Sequence, residues 1–424
     1  MAHHPFLKSI RPVNLLSFGP NTEEIELKPL NILIGPNGSG KSNLIEIVGL
    51  LSKLPDKDPW SDVIEAGGAR EWIWKGSSDG TESPSITITA QLDDYSDLGS
   101  LYGTLTGEDG VPFQYSISLW EAGGGFGVEE ERLVKPDGPG GGQSIFDRTV
   151  WEDQLKSDDR TAPLGRLMKP LMSSPNIPQS PKTDRSVLSQ FGDFSELASQ
   201  WPGMRALAFD LERITCYRDW SFGKISNFRQ LQPVGLDSYR LATDSSNVAQ
   251  VLKAMRDRGD ASKFERLLEL LRKFYEPVKD VDSELVGTHL RIMIKEEGLT
   301  SRTPAERLSD GTLRWLMLLI ILLDPTPPPV ICIDEPELGL HPDAIHTLAD
   351  LLVDASTRTQ LIITTHSDAL LDAFTDTPDV VCVCEKVEGS TVIQRLDKER
   401  LKAWLEDYSL GQLWAKGEIG GNRW

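Results

Sequence analysis

The sequence predicts an α/β fold with a mixed core sheet, an antiparallel subsheet beside it and a helical lobe. Three observations carry that prediction. A strand-like run near the N-terminus, Asn31 to Ile34, enters a glycine-rich loop and then a stretch with helical spacing. Two apolar runs near the far end, Val330 to Ile333 and Leu361 to Ile363, each finish in polar residues, as buried parallel strands do. Between these ends, β-type segments are followed by helical ones, with no sustained heptad pattern and so no long coiled-coil arm.

The N-terminal loop comes first because its chemistry is the most specific. Gly35-Pro-Asn-Gly-Ser-Gly40-Lys41-Ser42 is the phosphate-binding spacing in its required strand-to-helix setting. Gly35, Gly38 and Gly40 lack a Cβ, so the backbone can curl tightly and aim its N–H groups at a phosphate. Lys41 would reach the β and γ oxygens, Ser42 would hold Mg²⁺, and the helix N-terminus favours the anion. Asn37, Ser39 and Asn43 complete the candidate nucleotide contacts. Leu44, Ile47, Val48, Leu51 and Leu54 then recur at helical spacing, so the loop does run into an amphipathic helix.

Residues 6–18 and 22–28 read as two strands joined by Gly19-Pro20-Asn21, and 30–34 as a third. The segments 84–92, 111–119 and 126–134 have β composition and suggest the antiparallel subsheet. Gly138 to Gly142 and the Pro/Ser-rich run around Ser173 to Pro181 read as flexible links. Helices are expected at Asn247 to Arg258 and Ser262 to Tyr275, where Pro277 stops the second. The expected division is 1–135 as the first nucleotide-binding lobe, 136–186 as a flexible insertion and 187–300 as a helical lobe. Residues 301–396 form the second part of the nucleotide-binding core, and 397–424 a terminal helix and tail.

Three further motifs lie towards the C-terminus. Ser309-Asp-Gly311-Thr opens an apolar helix, with Ser309 as a good N-cap and Gly311 permitting close backbone approach, so the helix start is a second candidate anion site. Ile333-Asp334-Glu335-Pro336 ends the first apolar run in two carboxylates. Asp334 is placed to bind Mg²⁺, and Glu335 to polarise an attacking water as general base. Thr365-His366-Ser367 ends the second, where His366 can donate to a γ-phosphate. Each alone has an ordinary structural reading; their order after a phosphate loop favours the functional one.

This ordered set resembles the ATP-binding heads of the ABC-type ATPases, in the branch that includes the SMC, RecF and OLD proteins. The likeness covers about 6–54 and 302–396. It implies a P-loop fold with ATP and Mg²⁺ as cofactors and a homodimer in which each nucleotide is closed over by both chains. Lys41 and Ser42 would act in cis, and Ser309 with Gly311 in trans on the partner's γ-phosphate. Glu337 to Asp343 is similar to the loop that couples the two sites. The signature reads Ser-Asp-Gly-Thr, unlike the Ser-Gly-Gly-Gln of transporters, which favours the RecF/OLD side. The family's Mg²⁺-sensing glutamine is open between Gln91 and Gln230.

Bulk properties narrow the function. The formal charge of −20 over 424 residues opposes unselective coating of nucleic acid. Yet 213–273 holds twelve Lys/Arg against seven Asp/Glu, either a basic face for DNA or solvated helix surfaces. Met1 to Ile10 has no signal-peptide core, and the apolar run Leu313 to Leu323 is too short to span a bilayer, so no membrane role is expected. Cys216, Cys332, Cys382 and Cys384 lack metal-like spacing, and a cytoplasmic setting is expected. Over its length the chain resembles stand-alone bacterial ATPases of the RecF/OLD-like kind. Those are commonly encoded beside a separate effector, often a TOPRIM-type nuclease, in anti-phage defence. No TOPRIM-like acidic set follows His366, so a nuclease is expected only in trans. Trp414 and Trp424 are either anchors for a partner or packed on the chain itself. The alternative to an effector regulator is a RecF-like DNA-repair ATPase; a transporter motor fits the length and signature less well.

Overall fold

The apolar runs that end in polar residues form the centre of one sheet. A computed structural model describes residues 5–76, 85–93, 112–138, 141–147, 183–191, 202–218, 220–257 and 261–420. In it β3 (Leu30–Ile34) lies between β15 (Val381–Val387) and β14 (Gln360–Thr364). The sheet continues through β13 (Val330–Asp334) to β8 (Thr215–Tyr217), and β16 (Ser390–Arg395) closes the other edge. The first five strands are parallel and β16 runs antiparallel. All five residues of β3 and of β14 are buried, which is why neither run alternates in polarity. Their register places Leu33 beside Thr364 and Thr364 beside Asp334, so the carboxyl ends of all three strands, two of them polar, meet at one edge.

The second sheet is antiparallel, in the order β2-β1-β4-β5-β6-β7. It comprises β1 (Leu7–Val13), β2 (Ile25–Glu26), β4 (Ile86–Leu92), β5 (Phe113–Ala122), β6 (Gly125–Gly138) and β7 (Gly141–Asp147). Here the pattern does alternate: Ile86, Ile88, Ala90 and Leu92 point inward. Helix α1 (Lys41–Lys53) fills the space between the two sheets with Leu44, Ile47, Val48 and Leu51. Cys382 and Cys384 are buried on that same side as free thiols, packed as small apolar groups in the core. Short helices α2 (Ser61–Glu65) and α3 (Ala69–Trp72) flank this layer.

On the other face, α8 (Asp310–Leu322) is buried from Thr312 onward. It packs on α7 (Ala261–Phe274) and α9 (Ala344–Ala355), with the Trp315 indole N–H donated to Leu270 O at 3.1 Å. Beyond it lie α10 (Asp368–Asp372), α11 (Lys398–Leu405) and α12 (Leu410–Lys416). Trp414 is buried in this layer, so of its two open roles it takes packing; Trp424 lies outside the described residues. No described helix is long and apolar enough to cross a membrane.

Three expectations need correction. The strand expected over 6–18 ends at Val13, because Asn14 and Leu16 adopt positive φ (57° and 51°) and turn the chain. The insertion expected to be flexible over 136–186 begins as regular strand, with β6 reaching Gly138 and β7 pairing back along it. Backbone pairing needs no side chains, and the register shifts between Pro136 and Gly138. Helix α4 (Val187–Phe191) follows, while 148–182 lies outside the described residues.

The lobe expected to be helical over 187–300 also contains strands. It holds α5 (Pro202–Arg213), β8, β9 (Gln232–Pro233), α6 (Val248–Asp257) and α7. An antiparallel hairpin follows, β10 (Val278–Val286) and β11 (His289–Glu296), with β12 (Thr303–Pro304) beside it. Leu290, Ile292 and Ile294 form its buried face at strand spacing.

Candidate functional site

Gly35, Gly38 and Gly40 all have positive φ (148°, 76° and 101°), so the loop between β3 and α1 requires glycine at each. Close packing adds to this. A Cβ on Gly35 would lie 2.2 Å from Cys384 O, and one on Gly40 2.1 Å from Thr391 Oγ1. The Thr391 hydroxyl, on β16, lies 2.8 Å from Ser39 O and 2.7 Å from Ser17 Oγ, supporting the loop from below. Helix α1 starts without a side-chain cap or an acid in its first turn, leaving its first N–H groups for an anion. Asn37 and Gly38 are exposed at the loop tip, Asn43 is half-buried, and Ser39 Oγ is buried with no hydrogen-bond partner. Lys41 is also buried and donates to Gly35 O at 2.8 Å and Pro36 O at 3.0 Å. Burial pushes its pKa down, opposed by the nearby Cys384, Glu335 and Asp334.

The acids converge on the same place. Ser42 Oγ lies 3.3 Å from each carboxylate oxygen of Asp334. The Thr364 hydroxyl donates to Asp334 as well, and the Trp220 indole N–H holds the Asp334 carbonyl at 3.0 Å. Glu335 has φ of 46°, and its N–H is shared between Thr364 O (3.2 Å) and Thr364 Oγ1 (3.1 Å). Its carboxyl lies 3.5 Å from His366 Nε2. Burial and then the Asp334 charge raise the Glu335 pKa, while Lys41 and Arg314 oppose the rise. Glu337 ties the two strand ends together: its Oε1 accepts the Thr365 hydroxyl at 2.6 Å and the His366 N–H at 3.0 Å. Loop glycines, a helix N-terminus, a buried lysine and a hydroxyl facing a carboxylate make a cradle that suits a polyphosphate with a hard divalent cation.

The profile of the family described as "AAA domain, putative AbiEii toxin, Type IV TA system" matches residues 30–372, a span that holds the glycine loop, Lys41, Ser42, the acids and His366. The chain belongs to that family. Among solved structures, an Smc head bound to the C-terminal winged-helix domain of ScpA is 16% identical, with a TM-score of 0.54 over 94% of this chain and 100% of that one. An Smc head with an extended coiled coil, bound to the C-terminal domain of ScpA derived from Pyrococcus furiosus, is 15% identical. Its TM-score is 0.50 over 95% of this chain and 99% of that one. At such identity the likeness concerns the fold, a mixed α/β P-loop head of the SMC type. No curated protein matches the chain.

Within this AAA-domain chain the remaining candidates lie apart from the cradle. Ser309 caps α8, accepting the Thr312 N–H at 3.1 Å, and neither it nor Gly311 bonds to Lys41 or Ser42. Gly311 has a second reason to be glycine, since a Cβ there would lie 2.9 Å from Gly339 O. Gln91 donates to Glu24 at 2.7 Å and Gln230 to Lys224 O at 3.2 Å, and neither reaches Ser42 or Asp334. The basic stretch is largely engaged: Arg218 pairs with Glu46, Arg229 with Asp310, Arg256 with Asp280, and Arg266 and Lys273 with Glu269.

Sequence reasoning did not assign roles to Thr364, Trp220 or Thr391, or a contact to Glu337. Thr364 and Glu337 stood inside motifs already singled out. Trp220 and Thr391 carry no local signal, because only the fold brings them to the loop and the acids.

Proposed function

We propose that this chain is a Mg²⁺-dependent ATPase that closes as a homodimer on ATP and thereby regulates a separate effector protein. The observation that carries the reading is the meeting of Ser42, Asp334, Glu335 and His366 at the mouth of the glycine loop. Lys41 and the first N–H groups of α1 would bind the β and γ phosphates. Ser42 and Asp334 would hold Mg²⁺, which neutralises charge on those phosphates when bound. Glu335, with its pKa raised by burial, would orient and deprotonate the attacking water, and His366 would donate to the γ-phosphate.

Ser309 stands exposed at the start of α8 with no bond to the loop of its own chain, which suits action on a partner's nucleotide. Two-fold pairing would then complete both sites with the same two surfaces. The family description names a toxin and toxin–antitoxin systems, and the resemblance to stand-alone RecF/OLD-like ATPases supports an effector partner, such as a TOPRIM-type nuclease in anti-phage defence. The DNA-clamp alternative draws little support from arginines already paired within the chain.

The test is the solution mass of Glu335→Gln protein with and without Mg-ATP, purified together with whatever is encoded beside it. ATP-dependent doubling with a co-purifying protein supports the reading. A mass unchanged by ATP removes the dimer switch from it.

A further inference from the structure

Arg314 lies on α8, in the turn after Gly311, and only 8% of it is exposed. Its guanidinium sits 5.1 Å from the Trp220 ring centroid and 5.6 Å from that of Phe222, against two aromatic rings. Its donors do not serve its own helix. They reach the Glu335 carbonyl at 3.4 Å and the Leu338 carbonyl, the two ends of the turn that follows β13. Trp220, against which the cation rests, donates its own N–H to the preceding carbonyl, that of Asp334, at 3.0 Å. One cation–aromatic unit therefore holds two successive carbonyls, and the second belongs to a residue with φ of 46°. A non-glycine residue in that region persists only where its surroundings fix it.

From this geometry we infer that Arg314 is a positioning residue that transmits the state of the Ser309 end of α8 to the backbone of Glu335. A buried guanidinium is costly, and Met or Leu would fill the same volume on an otherwise apolar helix, so packing alone does not account for it. Two bonds from α8 to the acid turn, with Gly311 pressed against Gly339 O, make the helix start and that turn move as one piece. Engagement of Ser309 by a partner would thus be felt at the Glu335 of its own chain, linking one nucleotide site to the other. The inference rests on the ATPase reading above.

The test compares wild type, Arg314→Met and Trp220→Phe in steady-state ATP turnover, equilibrium binding of a fluorescent ATP analogue and thermal melting. Trp220→Phe keeps a ring for the cation to rest on and removes only the indole N–H. For Arg314→Met the expected result is analogue binding within about threefold of wild type and a kcat lower by about tenfold or more, with KM little changed. Trp220→Phe should lower kcat by about threefold or more at unchanged affinity. A wild-type kcat in either folded variant overturns the inference, as does a rise in KM that tracks a loss of melting temperature. If Arg314→Met does not fold, Arg314→Lys, which keeps a cation over the rings and gives up the guanidinium, decides in its place, with kcat again expected to fall by about threefold or more at unchanged affinity. Wild-type protein that binds the analogue but never turns over ATP removes the ATPase reading itself, an outcome separate from active wild type with indifferent variants.

Discussion

Ser42 Oγ faces both carboxylate oxygens of Asp334 at 3.3 Å, although β14 separates the strands that deliver them. Helix α1 leaves β3 and crosses the end of β14, so its second residue meets an acid two strands away. Thr364, at the end of the intervening strand, donates to the same carboxylate. The cradle thus joins three strand ends, and its parts can be tested separately.

Lys41→Ala should weaken ATP binding by about tenfold or more, since hydrogen bonds to charged groups contribute roughly 1.5–3 kcal/mol each. The fold should persist, because Lys41 gives up only its two bonds to the loop carbonyls of Gly35 and Pro36, while the glycine backbone that shapes the loop is unchanged. Isothermal titration with a non-hydrolysable analogue reads the loss. Equal affinity would mean that Lys41 stays on those carbonyls when nucleotide is bound.

Glu335→Gln should retain ATP and lose about 10²–10⁴-fold in turnover, the range expected for removal of a general base. The raised pKa of Glu335 carries a sign: a general base acts in its deprotonated form, so with Glu335 in the proposed role wild-type turnover should fall as pH drops through a value above the ordinary glutamate one. Phosphate release measured across pH would show that acidic limb in wild type. Wild-type turnover by the Gln variant would move the base elsewhere.

The ends of this chain were legible because their chemistry is contiguous in sequence. Gly35 to Ser42 and Ile333 to Glu335 each carry a complete strand-to-loop pattern. The middle was harder for physical reasons. Leu290, Ile292 and Ile294 alternate as a strand does, and Gly287-Thr288 before them marks the hairpin turn, yet the helical spacing of the neighbouring α6 and α7 is the stronger signal in this stretch. β8 is three residues long, too short for any period to register, and it joins the core sheet only through β13. Arg314 sits inside the apolar run Leu313 to Leu323, and its partners Trp220, Glu335 and Leu338 are distant or carry no spacing that points to it.

Ser309→Arg should abolish ATP-dependent doubling while leaving analogue binding by the monomer within about threefold of wild type. Ser309 is exposed, and its structural role is to cap α8, so the substitution also costs about 1 kcal/mol of helix stability. Ser309→Ala serves as the control, because it loses the cap without adding bulk or charge. Light scattering with Mg-ATP separates the two: Ala should still dimerise, Arg should not. Dimerisation by both would place the interface away from the α8 start.

Asp210, on α5, is buried, with Arg213 3.7 Å from its Oδ1 and no hydrogen bond to Oδ2. Burial raises its pKa from 3.8 to about 6, against the opposing pull of Arg213. The folded chain therefore holds this proton more tightly than the unfolded chain does. Stability from this group is present below about pH 4 and is lost as pH rises through about 6, an upper bound of about 3 kcal/mol. Asp210→Asn keeps the shape and removes the charge. It should raise the melting temperature by about 1–3 °C at pH 7.5, and the gain should shrink towards zero as pH falls towards 4. A variant less stable than wild type at pH 7.5 would mean that the attraction to Arg213 outweighs the cost of burying the carboxylate.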